Sequence, residues 1–336
     1  MNTNLGTLET KEGKAKILEF EAGSQVCKMT FKNVLTALNG KQAEEKEGKG
    51  ALNATISAKL FGFLNSQKIQ THFIKQLTTD TLQVSKLNMI PLEVIIRNYA
   101  SGSICKRLGI KQGTKLKKTI VQFHLKDDAL NDPLLTEDEL FEMDLISKSD
   151  LRKIRNNALM IDWLLRDLFQ QAGICLVDLK LEFGFDQNRQ LVLGDELSPD
   201  NMRLWENYKG ENFSVKNNDI KKLDKDRFRE GLGDVLENYQ VVLDKLSTVL
   251  EQPTTTEKTP INVDLYIHPQ QGLLDPTGRT LTSAVNQLGF LEVDSIRSGK
   301  LIELQLNDLR VDLIDELCER ILVSPASESY EYELSE

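Results

Sequence analysis

Between Val177 and Phe185 the apolar residues Val177, Leu179, Leu181, Phe183 and Phe185 alternate strictly with Asp178, Lys180, Glu182 and Gly184. That is the period of a strand with one core face and one charged face. Asp186 to Arg189 read as a turn, and Gln190 to Glu196 as the returning strand of a hairpin. With a four-residue loop, Phe185 faces Gln190 and Lys180 faces Asp195, so Asp195 falls on the face of Glu182, diagonally across the pair. A loop one residue longer or shorter turns Asp195 to the other side. Two carboxylates that close repel unless a proton or cation lies between them, and hard oxygen ligands beside a phosphate favour Mg²⁺. The bland alternative is a ladder of charges facing water.

The same reading organises the rest of the chain. A charged, glycine-containing segment, Gln42 to Gly50, reads as a mobile loop leading into a helix over Ala51 to Asn65, spaced by Leu52, Ile56, Leu60 and Phe63. Met89 to Arg97 is a nearly continuous apolar strand ending in an arginine, followed by Ala100-Ser101-Gly102-Ser103. A guanidinium fork, a hydroxyl and glycine-exposed amides suit an anion pocket; a surface arginine beside an ordinary turn is the alternative. Leu151, Ile154, Ala158, Ile161, Leu165 and Leu168 predict a helix over Asp150 to Gln171, stopped at Gly173 and packed behind the hairpin. Leu223 to Arg229 reads as the charged start of a helix that continues through Leu232, Tyr239 and Leu246. Glu251 to Pro260, with prolines, threonines and no apolar period, is a linker. Beyond it, a strand at Val263 to Ile267, a helix at Leu281 to Leu288, hairpin strands at Val293 to Ile296 and Lys300 to Leu306, a helix at Val311 to Leu322 and a strand at Tyr330 to Leu334 give the order β-α-β-β-α-β, a small ferredoxin-like domain. A domain with so thin a core is expected to associate with itself.

A length of 336 residues allows two or three domains, and a formal charge of −9 argues against non-specific nucleic-acid binding. The four cysteines form no CxxC and the three histidines no HExxH, so a zinc centre is not expected. No apolar run has the length of a membrane span, and the polar N-terminus lacks the regions of a signal peptide. The expectation is a soluble cytoplasmic protein. Two further segments carry candidate chemistry. In Lys11 to Lys16, KEGKAK, a glycine permits close approach and Lys14 and Lys16 can meet phosphate oxygens, against a solvated basic turn. Phe123 to Pro133 gathers Lys126, Asp127, Asp128 and Asp132 in a turn-rich loop.

Taken in order, KEGKAK, PLEVIIRNYASGS, KDDALNDP, VDLKLEFG, GDELSPDNMRLW and LDKDRFR make the chain from about Thr7 to Leu246 resemble the SAICAR synthetase family. Residues from about Ile261 to Leu334 are similar to the small PurS subunit of phosphoribosylformylglycinamidine (FGAM) synthase, through LLDPTGRTLTSAVNQLGF and SGKLIELQL. The resemblance implies an α+β, two-lobed ATP-binding fold of ATP-grasp or kinase-like kind, with lobes at about 1–90 and 91–250, a linker at 251–260 and a PurS-like ferredoxin domain at 261–336. It implies a ligase of purine biosynthesis that uses ATP and Mg²⁺ to join L-aspartate to an aminoimidazole ribotide carboxylate (CAIR). Residue by residue, it implies Glu182 and Asp195 beside the metal, Lys14, Lys16 and Lys126 on ATP phosphates, and Arg97, Ser103 and Arg203 on the ribotide phosphate. Asp178 and Lys180, with Lys126, would stand at the reacting groups, and Lys180, Lys225 and Arg229 would bind ribotide or aspartate. The C-terminal domain would form homo-oligomers and dock the glutaminase and large subunits of FGAM synthase.

One departure stands out. Where the family usually has an aspartate before a Thr-Ala-Phe-Asn-Gly-like run, this chain reads Asn33-Val34-Leu35-Thr36-Ala37-Leu38-Asn39-Gly40, so an acidic contact near the nucleotide or metal is missing. Two rival functions remain open on sequence: a small-molecule kinase of related fold, and an inactive scaffold.

Overall fold

The computed structural model describes residues 8–37, 42–206, 220–251, 260–270, 272–307 and 313–335. The chain divides into two compact units, Met1–Glu257 and Lys258–Glu336. Most of the expected linker, and Leu38 to Gly40 of the departing run, lie outside the described residues.

The first unit opens with β1 (Leu8–Glu12), β2 (Lys16–Glu21) and β3 (Val26–Phe31), then a hairpin of β4 (Val34–Ala37) and β5 (Gln42–Glu45), helix α1 (Lys49–Ser66), β6 (Phe73–Gln76) and β7 (Thr81–Ser85). β1-β2-β3-β7-β6 form one antiparallel sheet. Alternation in β3 turns Cys27, Met29 and Phe31 inward, where they join Phe20, Leu82 and Val84 against Ala54 of α1. The segment expected to be a mobile loop before α1 is thus partly strand, because β4 supplies its ladder. The start of α1 approaches β3 closely: a Cβ at Gly50 would stand 2.4 Å from the Phe31 carbonyl oxygen.

Next come β8 (Asn88–Met89), β9 (Leu92–Tyr99), α2 (Ser103–Leu108), β10 (Lys115–Leu125), β11 (Leu134–Leu135), α3 (Glu137–Glu142), α4 (Lys148–Gln171), β12 (Ile174–Leu181), β13 (Phe183–Phe185), β14 (Leu191–Leu193), β15 (Met202–Glu206), β16 (Lys221–Lys222), α5 (Asp226–Arg229) and α6 (Leu236–Glu251). The second sheet runs β11-β10-β9-β12-β15-β16. The six apolar positions that predicted α4 are all buried, the helix packs on β9, β10 and β12 of this sheet, and Ser147 caps it through the Asp150 amide at 3.0 Å.

Three local elements differ from the sequence expectation. The strand of alternating residues is broken at Glu182: β12 belongs to the large sheet, whereas β13 pairs with β14 and β8. The hairpin register puts Phe185 opposite Leu191, not Gln190, since the turn takes five residues. The Asp186 side chain organises that turn by accepting the amides of Asn188 at 2.9 Å and Gln190 at 2.8 Å. Likewise the charged segment before α6 is its own short helix, α5, separated from α6 by residues 230–235.

The second unit has β17 (Ile261–Pro269), α7 (Pro276–Gln287), β18 (Lys300–Leu306), α8 (Leu313–Leu317) continued by a π-helical turn at Cys318–Leu322, and β19 (Glu328–Ser335). β17 is central and antiparallel to both neighbours, in the order β18-β17-β19. Ile261, Val263, Leu265 and Ile267 form its buried face. Residues 293–299, expected to include a strand, are not in a ladder, and the outer side of β18 has no partner among the described residues. Among the described residues no helix is long and apolar enough to cross a membrane.

Candidate active site

Three neighbouring strands of the large sheet bring a row of charges together. Asp178 on β12 is registered against Arg97 on β9 at one side and Arg203 on β15 at the other. Its Oδ2 accepts from Nη1 of both arginines at 2.7 Å. Arg97 is 3 % exposed, and it also donates to Gln122 Oε1 at 2.8 Å, the Ser101 carbonyl at 3.2 Å and Ser103 Oγ at 3.3 Å. Arg203 Nε donates to Asp226 Oδ2 at 2.6 Å, and Asp226 Oδ1 accepts from Arg229 at 2.5 Å. Gly102, at φ 66°, lets the Arg203 guanidinium lie against the backbone, for a Cβ there would come within 2.7 Å of Nη2. Three arginines held by two carboxylates leave a net positive, pre-ordered pocket suited to a phosphate.

Two residues along β12 the chemistry changes. Lys180 Nζ bonds Glu93 Oε1 at 2.8 Å and Glu182 Oε1 at 2.6 Å, and Lys126 bonds the other Glu182 oxygen. Glu182 is 2 % exposed, so the charged face of the strand is an interior surface and not a ladder in water. Asp195 does not face Lys180 across a ladder, as the four-residue loop required. It lies beyond β14 at φ 58°, a left-handed turn, and its Oδ1 accepts from Lys16 Nζ at 2.6 Å. Lys16 also reaches Glu196 Oε1 at 3.0 Å. Burial alone would raise the Asp195 carboxyl, but Lys16, Lys180 and Lys126 outweigh it and hold the group well below the usual carboxylate range. Burial would likewise lower Lys16, yet Asp195 and Glu196 keep it firmly protonated. Lys14 Nζ reaches Asp128 Oδ1 at 2.5 Å.

A buried cluster backs this site. Lys49 Nζ, from the start of α1, donates to Asp200 Oδ2 at 2.5 Å and to the Val34 carbonyl at 3.0 Å; Tyr239 of α6 donates to Asp200 Oδ1 at 2.6 Å. Lys225 Nζ stands 3.8 Å from the same carboxylate. Burial and the charge of Lys49 lower Lys225, only partly offset by Asp200. Lys49, Glu93, Asp200 and Asp226 were not singled out from sequence, because they come from distant segments and follow no local period, and Tyr239 was legible only as part of a helical stripe.

The arginines, Asp178, Lys180, Glu182, Asp195, Asp200 and Lys225 line one cleft of about 1320 Å³, with Lys49 and Tyr239 buried behind Asp200. Of the twelve residues that the family resemblance assigns to the site, eleven line it; Ser103 does not, and acts on it through Arg97. Asn33 does not line the cleft either: its Oδ1 accepts the Gly50 amide at 2.9 Å and so steadies the start of α1. Apolar side chains including Leu18, Met29, Val84, Leu87 and Met89 form another part of the wall, a surface on which a flat base can stack.

Residues 9–246 match the SAICAR synthetase family model, and residues 262–336 match the phosphoribosylformylglycinamidine (FGAM) synthase model PurS. A phosphoribosylaminoimidazole-succinocarboxamide synthase of Nautilia profundicola is 43% identical over 240 residues, covering 71% of this chain and 97% of the relative. The crystal structure of the synthase of that name from Ehrlichia chaffeensis is 40% identical at a TM-score of 0.66, covering 71% of this chain and 98% of that one. A SAICAR synthetase solved in complex with ADP is 38% identical, with the same TM-score and coverage.

Proposed function

Since the chain belongs to the SAICAR synthetase family and carries a PurS segment after it, we propose that its first unit is a phosphoribosylaminoimidazole-succinocarboxamide synthase that joins L-aspartate to CAIR at the expense of ATP. In this reading the domains are lobes at about 1–90 and 91–250, a linker at 251–260 and a PurS-like domain at 261–336. The observation that carries the reading is the row Arg97–Asp178–Arg203, across β9, β12 and β15, next to Lys180 and Glu182 at the end of β12. An anion pocket and a phosphate-handling group then stand side by side, as a phosphorylated substrate that is activated by ATP requires.

A carboxylate resists attack by an amine. A carboxylate oxygen of CAIR first forms a bond to the terminal phosphorus of ATP, whose bond to the bridging oxygen breaks and releases ADP. The aspartate amine then attacks the acyl carbon, phosphate leaves with the bonding pair, and the amine gives up a proton. Little of this needs covalent help from the protein; positioning and charge neutralisation carry it. Lys14, Lys16 and Lys126 take the nucleotide phosphates. Arg97 and Arg203, with Ser103 behind Arg97, take the ribotide phosphate, and Asp178 holds both arginines in place. Lys180, Lys225 and Arg229 take the carboxylates of ribotide or aspartate.

Among the described residues no group of three or more His, Cys, Asp or Glu stands close enough to hold a metal by itself. Two carboxylates, Glu182 and Asp195, with phosphate oxygens and water as the other ligands, fit Mg²⁺. When bound there, Mg²⁺ neutralises charge on the phosphate oxygens. The lysines now paired with Glu182 and Asp195 are the groups those phosphates would draw away.

The family's acidic position falls in Asn33-Val34-Leu35, and there Asn33 Oδ1 accepts the Gly50 amide at 2.9 Å, so the start of α1 is held without an acid. That supports an active enzyme over a decayed scaffold. The C-terminal unit exposes Leu274, Leu288, Phe290, Leu291 and Ile321, and we assign it to self-association and to docking the large and glutaminase subunits of FGAM synthase. The reading includes a cytoplasmic site of action, where charged ribotides are retained. Product analysis with each substrate omitted in turn tests the synthase assignment; a pull-down in which the full chain captures neither FGAM synthase subunit removes the docking assignment.

A further inference from the structure

Residues 94–126 carry eight Lys and Arg and no Asp or Glu, in a chain whose formal charge is −9. The remainder of the protein is therefore strongly acidic, and its field opposes the approach of anions. Most of this positive charge is unneutralised. Lys106, Arg107, Lys111, Lys117 and Lys118 are all exposed, and none is ion-paired with an acidic side chain among the described residues. They also lie in one place. Lys106 and Arg107 end α2, the helix that starts at Ser103, the hydroxyl partner of Arg97. Lys117 and Lys118 occupy the irregular stretch of β10 between its pairings of Lys115 with Tyr99 and of Ile120 with Arg97. The buried Arg97 feels the nearest of them: burial foremost, and repulsion by Arg203 and Arg107, lower its guanidinium.

We propose that this basic flank steers the phosphorylated substrate into the Arg97–Arg203 pocket, raising the association rate of an anion that the acidic remainder of the molecule repels. The inference rests on the reading of that pocket as the ribotide-phosphate site. A one-signed patch beside the mouth of a charged cleft concentrates the opposite ion and accelerates capture by a factor of ~10 or more at low ionic strength. The effect fades as the screening length shrinks to about 10 Å near 0.1 M salt. Since the five side chains are exposed and make no contact that holds the fold, neutralising them costs little stability.

The test compares the full chain with a Lys106→Gln/Arg107→Gln variant, a Lys117→Gln/Lys118→Gln variant and the four combined, measuring kcat and kcat/KM for CAIR from low to high salt. Steering predicts that each pair lowers kcat/KM at low salt, about ten-fold when combined. It also predicts a flattened salt dependence, unchanged kcat, and a smaller loss for the riboside that lacks the phosphate. An unaltered kcat/KM and salt slope overturn the inference. So does a loss confined to one pair with the salt slope intact, which would mean a direct contact, and so does a change of oligomeric state, which would make the flank a protein interface. Arg97→Met separates the two levels: if it leaves kcat/KM for CAIR untouched, the pocket reading fails; if it lowers that value while the flank variants have no effect, steering alone fails.

Discussion

Replacing Glu182 by glutamine changes one oxygen for an amide in a side chain that is 2 % exposed. The wild-type carboxylate accepts from Lys180 at 2.6 Å through Oε1 and from Lys126 through Oε2. Glutamine offers one carbonyl oxygen, and its amide then confronts an ammonium. A hydrogen bond to a charged group contributes roughly 1.5–3 kcal/mol. The Lys126 side chain is 48% exposed, so water screens its share toward the ~0–1 kcal/mol of a surface pair. The expected loss of stability is about 2–3 kcal/mol, leaving a folded protein if the chain has the ordinary ~5–15 kcal/mol to lose. Turnover should suffer more. If Glu182 handles phosphate as proposed, the substitution removes a carboxylate there and frees two lysines from their set positions, for which ~3–4 kcal/mol on the barrier, or a fall in kcat of roughly 10²–10³-fold, is expected. ADP release at saturating CAIR, aspartate and magnesium, with urea unfolding followed in parallel, separates the two effects. A folded Glu182→Gln protein with kcat within about three-fold of wild type would refute the placing of β12's end at the reacting phosphate.

Further outcomes follow from the same geometry. Arg97→Lys keeps the charge but loses the planar fork that serves Gln122, Asp178 and Ser103 at once; CAIR affinity should fall ~10-fold or more while kcat at saturation changes little, as titration calorimetry and steady-state rates will show. Lys49→Met leaves the buried Asp200 without its closest cation, and chemical denaturation should register a loss of about 3–5 kcal/mol. Burial foremost, then the neighbouring Asp226, push the Asp224 carboxyl up to about 7 from 3.8. The folded state therefore holds that proton where the unfolded chain has released it. Its contribution is full below pH ~4 and is lost as pH rises through about 7, so stability measured against pH should fall less steeply over this window in Asp224→Asn than in wild type.

What local pattern encodes was legible. Alternation set Asp178 and Lys180 of β12, and Glu182 just past its end, on one side, and helical spacing gave α4 its buried stripe. The register of the following hairpin was not, because it depends on the Asp186 side chain and on a left-handed Arg189 that no glycine announces. Asp195 still reaches the lysines, by its own left-handed turn rather than by cross-strand pairing. The burial of the charged face was equally hidden, since a period of two says which residues share a side and not what covers it. The Lys49–Asp200–Tyr239 cluster joins residues 151 and 39 positions apart, and its lysine lies in a run of charges indistinguishable from a solvated loop. In the C-terminal unit, the segment Val293 to Ile296 has a strand's composition, but a strand needs a partner edge to become one.

ADP release by the purified full-length chain, with CAIR and aspartate omitted in turn, tests the central claim most directly. Sustained release that requires both, with the succinocarboxamide as product, is the predicted result. Sustained ADP release without aspartate, yielding a stable phosphorylated product, would instead make the protein a kinase and contradict the account.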